Sequence, residues 1–363
     1  MSQTSDSKST NSQPSDPPVL EITHSDRFVE WLTQEKISIA ITTYQTGRLM
    51  LVGINDRGGI HGADRTFDRA MGLYATPDCL YLSTRYQLWK IENALLPKQT
   101  YEGFDKFYIP RIGYTTGEID IHDVACDRKG RVIFVSTLLN CIATIDEHQS
   151  CIPLWKPPFI SKIVPEDRCH LNSMALVDGI PRYVTAVSQT DVANSWRDYR
   201  QDGGCVIDVR SQEIILTGLS MPHSPRFHQN KLWVLNSGRG ELGYVDMKAG
   251  KFIPVAFCPG YLRGLAFWGD WAMIGLSKPR DLTKTFSGLA LDQILSSKGI
   301  EPWCAVAIVN LKSGEIEHWL RSEGAITELY DVQILAGVHR ANLVGLQTEE
   351  ICRFINFGAM QRL

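Results

Sequence analysis

An all-β fold, a closed ring of repeated four-stranded units, is predicted by three observations. After residue 36 nearly every segment alternates a short β-rich run with a turn. Six stretches superpose on one pattern, opening at residues 71, 122, 170, 223, 263 and 330 with spacings of 51, 48, 53, 40 and 67 residues. The β-rich runs before residue 55 supply strands that pair with the last copy and close the ring, which removes exposed sheet edges. Roughly 40–50 residues make one blade of a propeller, so the prediction is a six-bladed β-propeller. The repeat is degenerate and carries no WD or kelch signature; seven blades, two stacked sandwiches or an unrelated α+β fold are the alternatives it leaves open.

In chain order, Met1 to Pro18 is rich in Ser, Thr, Asp and Gln. Residues 1–20 read as a disordered tail with neither the basic nor the apolar part of a secretory leader. Residues 21–363 read as a single domain. Arg27 to Glu35 has helical spacing through Phe28, Trp31 and Leu32, with Ser25 or Asp26 as cap. The runs Ser38–Tyr44 and Arg48–Gly53 form a hairpin. In the copies that follow, Met71–Ala75 leads to Cys79–Ser83, His122–Cys126 to Val132–Ser136, and His170–Leu176 to Tyr183–Val187. His223 leads to Leu232–Leu235, Arg263–Phe267 to Ala272–Gly275, and Tyr330–Ile334 to Leu343–Leu346. Third strands such as Leu242–Asp246 and Ala305–Asn310 end in Asp or Asn before a turn. The longest spacing contains Lys278 to Trp303, whose Phe286, Leu289, Leu291 and Ile294 predict a helical insertion near 280–300.

Composition narrows the partners. Hydrophobic residues make up 44% of the chain and charged residues 21%, and no apolar run reaches the ~18 residues of a membrane-spanning helix. A net charge of −3 and a pI near 6.3 provide no field for a phosphate backbone, so nucleic acid is excluded. A small molecule, a peptide or a protein partner is expected. Nine scattered cysteines without a CxxC pair, together with the absence of a leader, point to a reducing cytoplasm.

In a propeller the innermost strand of each blade lines the central channel, so the residues that open these strands meet around the axis. The overlay puts His122, His170 and His223 there on consecutive copies, with Arg263, Tyr330 and Met71, beside Arg69, completing the ring. Three neutral imidazoles suit a divalent metal (zinc, iron or copper) and leave positions open for water or substrate. Ring histidines also occur as channel lining that binds trapped water. In the third copy Asn172 competes with His170 for the ring position, and in the fourth His228 competes with His223. Arg263 or Arg69 is expected to hold an anionic group and Tyr330 to move a proton. Arg226, Ser224, Asn172 and Asp331 are expected beside the substrate. Asp123 and Asp331 have a further reading, as turn caps or as partners that hold a histidine.

Other chemistry is thin. Gly238 to Gly243 matches GxGxxG, but Tyr244-Val245-Asp246 after it reads as a strand, so the motif is a hairpin turn. The chain has no Walker loop, GxSxG elbow or HExxH. The tryptophans read as blade packing. Gln189 to Arg197 reads as a loop on the channel rim.

With Ser220-Met-Pro-His-Ser-Pro-Arg226, Leu232-Trp-Val-Leu-Asn-Ser-Gly238 and Tyr261-Leu-Arg-Gly-Leu-Ala266 in hand, the chain resembles a family of conserved hypothetical bacterial proteins from about residue 25 to its end. That resemblance supplies no activity. In layout alone it is also similar to the six-bladed peptidyl-hydroxyglycine amidating lyases, whose three ring histidines hold zinc with arginine and tyrosine nearby. This likeness implies those parts for His122, His170, His223, Arg263 and Tyr330. The expectation is a metal-dependent lyase or hydrolase acting on a small molecule or modified peptide. The alternative is a non-catalytic propeller that serves as a protein-interaction module in a bacterial biosynthetic system.

Overall fold

The computed structural model describes residues 20–279 and 287–355. The alternation of β-rich runs and tight turns folds into six antiparallel blades, as the sequence predicts. Blade 1 is Leu73–Ala75, Cys79–Ser83, Gln87–Asn93 and Lys106–Thr115; blade 2 is Ile121–Cys126, Val132–Ser136, Cys141–Thr144 and Ile152–Trp155. Blade 3 is Leu171–Val177, Ile180–Ala186, Gly204–Asp208 and Ile214–Leu219; blade 4 is Pro222–His228, Lys231–Asn236, Glu241–Asp246 and Lys251–Phe257. Blade 5 is Tyr261–Trp268, Trp271–Ser277, Ala305–Asn310 and Ile316–Glu323. The first strand of each is innermost and touches the innermost strands on both sides, which closes the ring.

Blade 6 joins the two ends of the chain. Its innermost strand, Asp331–Ala336, pairs with Ile37–Thr43, which is followed outward by Arg48–Ile54 and Ile60–Thr66. The last of these, Ile-His-Gly-Ala-Asp-Arg-Thr, is too polar to read as a strand from sequence. Two short strands extend other blades: Glu21–His24 lies antiparallel on the outer strand of blade 5, and Ala341–Leu343 lies parallel on that of blade 1. The predicted tail, residues 1–20, falls almost wholly on residues 1–19, which lie outside the described residues.

The leading helix, Phe28–Glu35, buries Phe28, Trp31 and Leu32 over the seam between blades 5 and 6. Neither predicted residue caps it. Arg27 holds the N-cap position without a side-chain bond, because the Ser25 hydroxyl is drawn to the Trp319 N–H of blade 5 (3.2 Å). Glu35 accepts from Trp268 and Trp271 Nε1, at 2.9 and 3.3 Å. The expected insertion contains the helix Ala290–Lys298, ended by Gly299 at φ 62°; Phe286 lies outside the described residues. GxGxxG proves to be the predicted hairpin, a single 3₁₀ turn at Ser237–Arg239 leading into a strand.

Apolar clusters fill the seams between neighbouring blades. Near the channel, where the innermost strands come closest, the seams are tied by polar side chains. A Ser or Thr at the end of the second strand donates to a carbonyl at the start of the next blade's innermost strand. The pairs are Ser83 to Ile121 (2.9 Å), Thr137 to Leu171 (2.6 Å), Ser237 to Leu262 (2.6 Å), Ser277 to Leu329 (3.0 Å) and Thr42 to Met71 (2.6 Å). This tie runs across five seams and fixes the register of each blade against the next.

Candidate functional site

The five carbonyls that accept these bonds mark equivalent positions, and the residue after each faces the axis. It is Gly72 in blade 1, His122 in blade 2, Asn172 in blade 3, Arg263 in blade 5 and Tyr330 in blade 6. His223 stands at the corresponding place in blade 4. His122, Asn172, His223, Arg263 and Tyr330 line one small cavity on the axis, of about 10 Å³, room for about a single water. Gly72 is the small member of the ring: a Cβ there would meet the His122 carbonyl at 2.9 Å.

This register corrects the overlay of the three histidines. His170 is not at the ring level; Asn172 takes that place, and His170 sits at the turn before the strand. Asp120, His170 and Met221, each two residues ahead of a ring residue, all have left-handed backbones, at φ 54°, 51° and 47°. His170 is therefore the counterpart of Asp120 and Met221. It still reaches the site from the rim, its ring centroid 5.1 Å from that of His122, edge to face.

All three imidazoles are anchored through Nδ1. His122 Nδ1 donates to the Asp120 carbonyl (3.2 Å) and His223 Nδ1 to the Met221 carbonyl (2.8 Å), the same local bond in two blades. The Ser237 hydroxyl, already donating to Leu262, lies 3.1 Å from His223 Nδ1 and takes a share of its proton. His170 Nδ1 donates to Asp167 Oδ2 (2.7 Å). A carbonyl or carboxylate can only accept, so the partners assign each ring its Nδ1–H tautomer and make Nε2 the basic nitrogen. Burial lowers the His122 pKa to about 4 and drives that of His223 well below its ordinary value, with the Arg263 charge adding to both. Burial also opposes ionisation of Asp167, yet His170 and His122 bring its pKa below the ordinary value.

The rim loop around Gln189–Arg197 is where the sequence suggested, and it carries a residue that sequence reasoning assigned to packing. Its 3₁₀ turn, Ser195–Tyr199, places Trp196 flat on His170, with centroids 4.0 Å apart. Arg168 beside the turn is held by Glu166 and Asp191. Asp167 and Trp196 are thus the functional residues missed. The signal for Asp167 was its spacing of three from His170.

Arg263 lies over Tyr330, its Cζ 4.2 Å from the ring centroid, and approaches Glu328 at 3.7 Å. Tyr330 is 3% exposed and its hydroxyl has no hydrogen-bond partner among the described residues. Desolvation raises its pKa well above the ordinary value, so it keeps its proton. Asn172 Nδ2 is likewise buried without a partner among the described residues. The cavity thus holds two unspent donors from separate blades.

The remaining predicted residues divide. Arg69 stands outside the cavity: it pairs with Glu118 (2.7 Å) and covers Tyr44, which stacks on Tyr330 at 5.7 Å. Ser224 Oγ accepts from Gly264 N (3.0 Å), and Asp331 accepts from Leu73 N (2.9 Å) and Val332 N (2.8 Å). Asp123 accepts from Val124 N, Met174 N and both Arg226 Nη atoms, at 2.9–3.1 Å. Asp123, Ser224 and Asp331 therefore staple blade 2 to 3, 4 to 5 and 6 to 1, while Arg226 reaches back from blade 4 to the Met174 carbonyl of blade 3. Together they form the floor of the cavity. Burial raises the Asp331 pKa to about 7 against the opposing charge of Arg226. His228 lies at the far end of its strand, stacked on Phe267.

Among the described residues, no group of three or more His, Cys, Asp or Glu converges closely enough to hold a metal ion. The donor chemistry of the three imidazoles, each anchored at Nδ1, is the kind that metal-ligating histidines show. Also among the described residues, no helix is long and apolar enough to cross a membrane.

Fold and site together define a six-bladed β-propeller with a buried polar centre on its axis, two histidines in the ring and a third at its rim. The chain belongs to the family described as "Domain of unknown function (DUF4915)", whose model matches residues 26–344. No curated protein matches it. Among solved structures it is similar to a chain of a nidogen/laminin complex, at 11% identity and a TM-score of 0.52, covering 83% of this chain and 99% of that one. It also matches virginiamycin B lyase from Staphylococcus aureus at 12% identity, covering 84% of this chain and 99% of that one, with a TM-score of 0.39. A catalytically inactive form of that lyase with quinupristin matches at a TM-score of 0.40, again with 12% identity and coverage of 84% and 99%. At 11% identity the likeness to the nidogen/laminin chain speaks for the fold alone.

Proposed function

We propose that the chain is a cytoplasmic propeller enzyme of lyase or hydrolase type, acting on a small molecule or modified peptide at the axial histidine site. The observation that carries this reading is the common tautomer. Three imidazoles from three blades are anchored through Nδ1, so each turns Nε2 to chemistry. Channel lining that merely bonds water has no need of such uniformity.

In this reading His170 is the general base. Asp167 holds its Nδ1 proton and stabilises the imidazolium that forms when Nε2 takes a proton from substrate or water. Trp196 fixes the plane of the ring. Tyr330, kept protonated by burial, donates its proton to the leaving oxygen or nitrogen. Asn172 and Arg263 hold a carbonyl or carboxylate oxygen of the substrate, which supplies the acceptor that the Asn172 amide and the Tyr330 hydroxyl lack. A divalent zinc, iron or copper ion held by His122, His170 and His223 is the alternative form of this reading: it would need the three imidazoles to draw closer, would occupy His170 Nε2 in place of the proton, and would itself polarise a substrate oxygen or bound water.

The test is turnover of a panel of small esters, lactones and α-hydroxy amides by untagged protein, with and without added zinc, iron or copper. Product release by the wild type, reduced at least 100-fold in His170→Ala and in Tyr330→Phe, is expected. Turnover that survives both substitutions contradicts the assignment. So does a wild type inert across the panel that also binds none of the three metals.

A further inference from the structure

The channel has a second mouth. Each innermost strand that opens at the histidine level ends on the opposite face, His223 to Phe227 being a span of roughly 13 Å at strand rise. There the strand ends form a cup of about 430 Å³. Its wall is drawn from the successive blades, with Tyr74, Leu176, Phe227, Phe267, Trp268 and Ile334 among its members. We infer that this cup is a separate binding site for an uncharged, ring-bearing small molecule with a carbonyl or hydroxyl oxygen.

The closed floor selects the ligand class. It is the Arg226–Asp123 pair, and every lone pair of that carboxylate is used: both oxygens accept one backbone N–H and one guanidinium nitrogen. Arg226 is held in addition by the Met174 and Pro225 carbonyls, at 3.0 and 2.9 Å. A charged ligand finds no open partner there and is desolvated without return. The walls are apolar and aromatic and are already fixed in place. Phe267 is stacked on His228 at 4.5 Å and 3°, and His228 is tied to the Gly269 carbonyl at 2.8 Å. Two polar groups remain for an oxygen on the ligand. Burial raises the Tyr74 pKa, so its hydroxyl remains a donor, and the Gln333 amide spends only its oxygen, on Ala75 N. A dead-end cup of this volume, apolar with a few placed polar groups, matches small-molecule sites and not a flat protein interface.

The experiment is a fluorescence titration of the full chain with 6-propionyl-2-(dimethylamino)naphthalene, a neutral aromatic ketone. Saturable one-to-one binding is expected. Leu176→Glu and Phe227→Glu, both at partly exposed positions, should weaken it at least tenfold without lowering the melting temperature, and Tyr74→Phe several-fold. The anionic 1-anilinonaphthalene-8-sulfonate should bind at least tenfold more weakly. His170→Ala, at the other mouth, should leave binding unchanged, which separates this site from the proposed catalytic one. Binding that is non-saturable, or retained in both Glu variants, overturns the inference. So does a concentration-dependent dimer that both Glu variants dissociate, since the occupant would then be a second copy of the chain.

Discussion

His122 and Asn172 are structural equivalents: each follows a residue whose carbonyl takes a hydrogen bond from the preceding blade, Ile121 from Ser83 and Leu171 from Thr137. Histidines in consecutive blades therefore reach the axis from two levels, His122 and His223 in the ring and His170 from the turn ahead of it. Asp167 and Trp196 can hold His170 because it is outside the strand. The Asp120 carboxylate stands 3.4 Å from His122 Nδ1, beyond that ring's bond to the Asp120 carbonyl, whereas Asp167 binds His170 Nδ1 directly at 2.7 Å, and this difference favours His170 as the base of the proposed reaction.

The Ser and Thr ties set the stability of the ring. Thr42→Val keeps the shape of the side chain but loses both its bond to the Met71 carbonyl (2.6 Å) and the bond it accepts from Asp331 N (3.0 Å), at the seam where the chain closes on itself. Equilibrium urea unfolding should show a loss of about 2–3 kcal/mol.

Gly264 is needed for its conformation and for the space it leaves. Its φ is +77°, and a Cβ would lie 2.7 Å from the Asp331 Cα of the next blade. Gly264→Ala should cost more than about 3 kcal/mol, because backbone and not a movable side chain must give way. At Gly269, φ +55° with nothing within 4 Å of a Cβ, the same change should cost about 1 kcal/mol. Thermal melts of the two variants make the comparison.

The floor pair is a buried ion pair. Arg226→Ala leaves Asp123 and Asp331 without their cation and should destabilise by about 3–5 kcal/mol. In the double variant Asp123→Asn with Arg226→Met no uncompensated partner of the pair remains, and a smaller loss is expected. A double-mutant cycle in urea measures the coupling.

Much of the fold was legible in the sequence. Blade count, closure by the N-terminal strands, the leading helix and the insertion follow from apolar periodicity and turn residues, because blade packing imposes them on every copy. The ring level of the third blade was not legible. Cys169-His-Leu-Asn172 offers two polar residues of one parity, and period-two alternation cannot tell a strand residue from one in the left-handed turn before it. The second-strand Ser and Thr residues, Thr42, Ser83, Thr137, Ser237 and Ser277, were visible and would have fixed the register. Asp123, Ser224, Arg226 and Asp331 gave no sign of being floor staples, since their partners lie in other blades, far away in sequence.

The pH dependence of stability follows from His122. Its pKa in the folded chain is about 4, below the ~6.5 of an unfolded histidine. The unfolded chain therefore binds more protons between these values. Stability is lost as pH falls through that window, by about 2 kcal/mol from this group between pH 7.5 and 5. His223 acts in the same direction. Asp331 acts in the opposite one, because its raised pKa favours the folded state at lower pH. Urea midpoints across pH 5–7.5 should show a shallower slope in His122→Gln than in the wild type.

The tautomers of the three histidines are open to direct observation. A long-range ¹H–¹⁵N spectrum of histidine-labelled protein at pH 7, assigned with His122→Gln, His170→Gln and His223→Gln, reports which nitrogen of each ring carries the proton. A proton on Nδ1 of all three rings is expected, with His122 and His223 neutral, and with the Nε2 resonances of all three shifting together when one equivalent of zinc is added. Nε2–H tautomers at His122 and His223, or imidazolium at both, would contradict the anchoring on which the proposed chemistry rests.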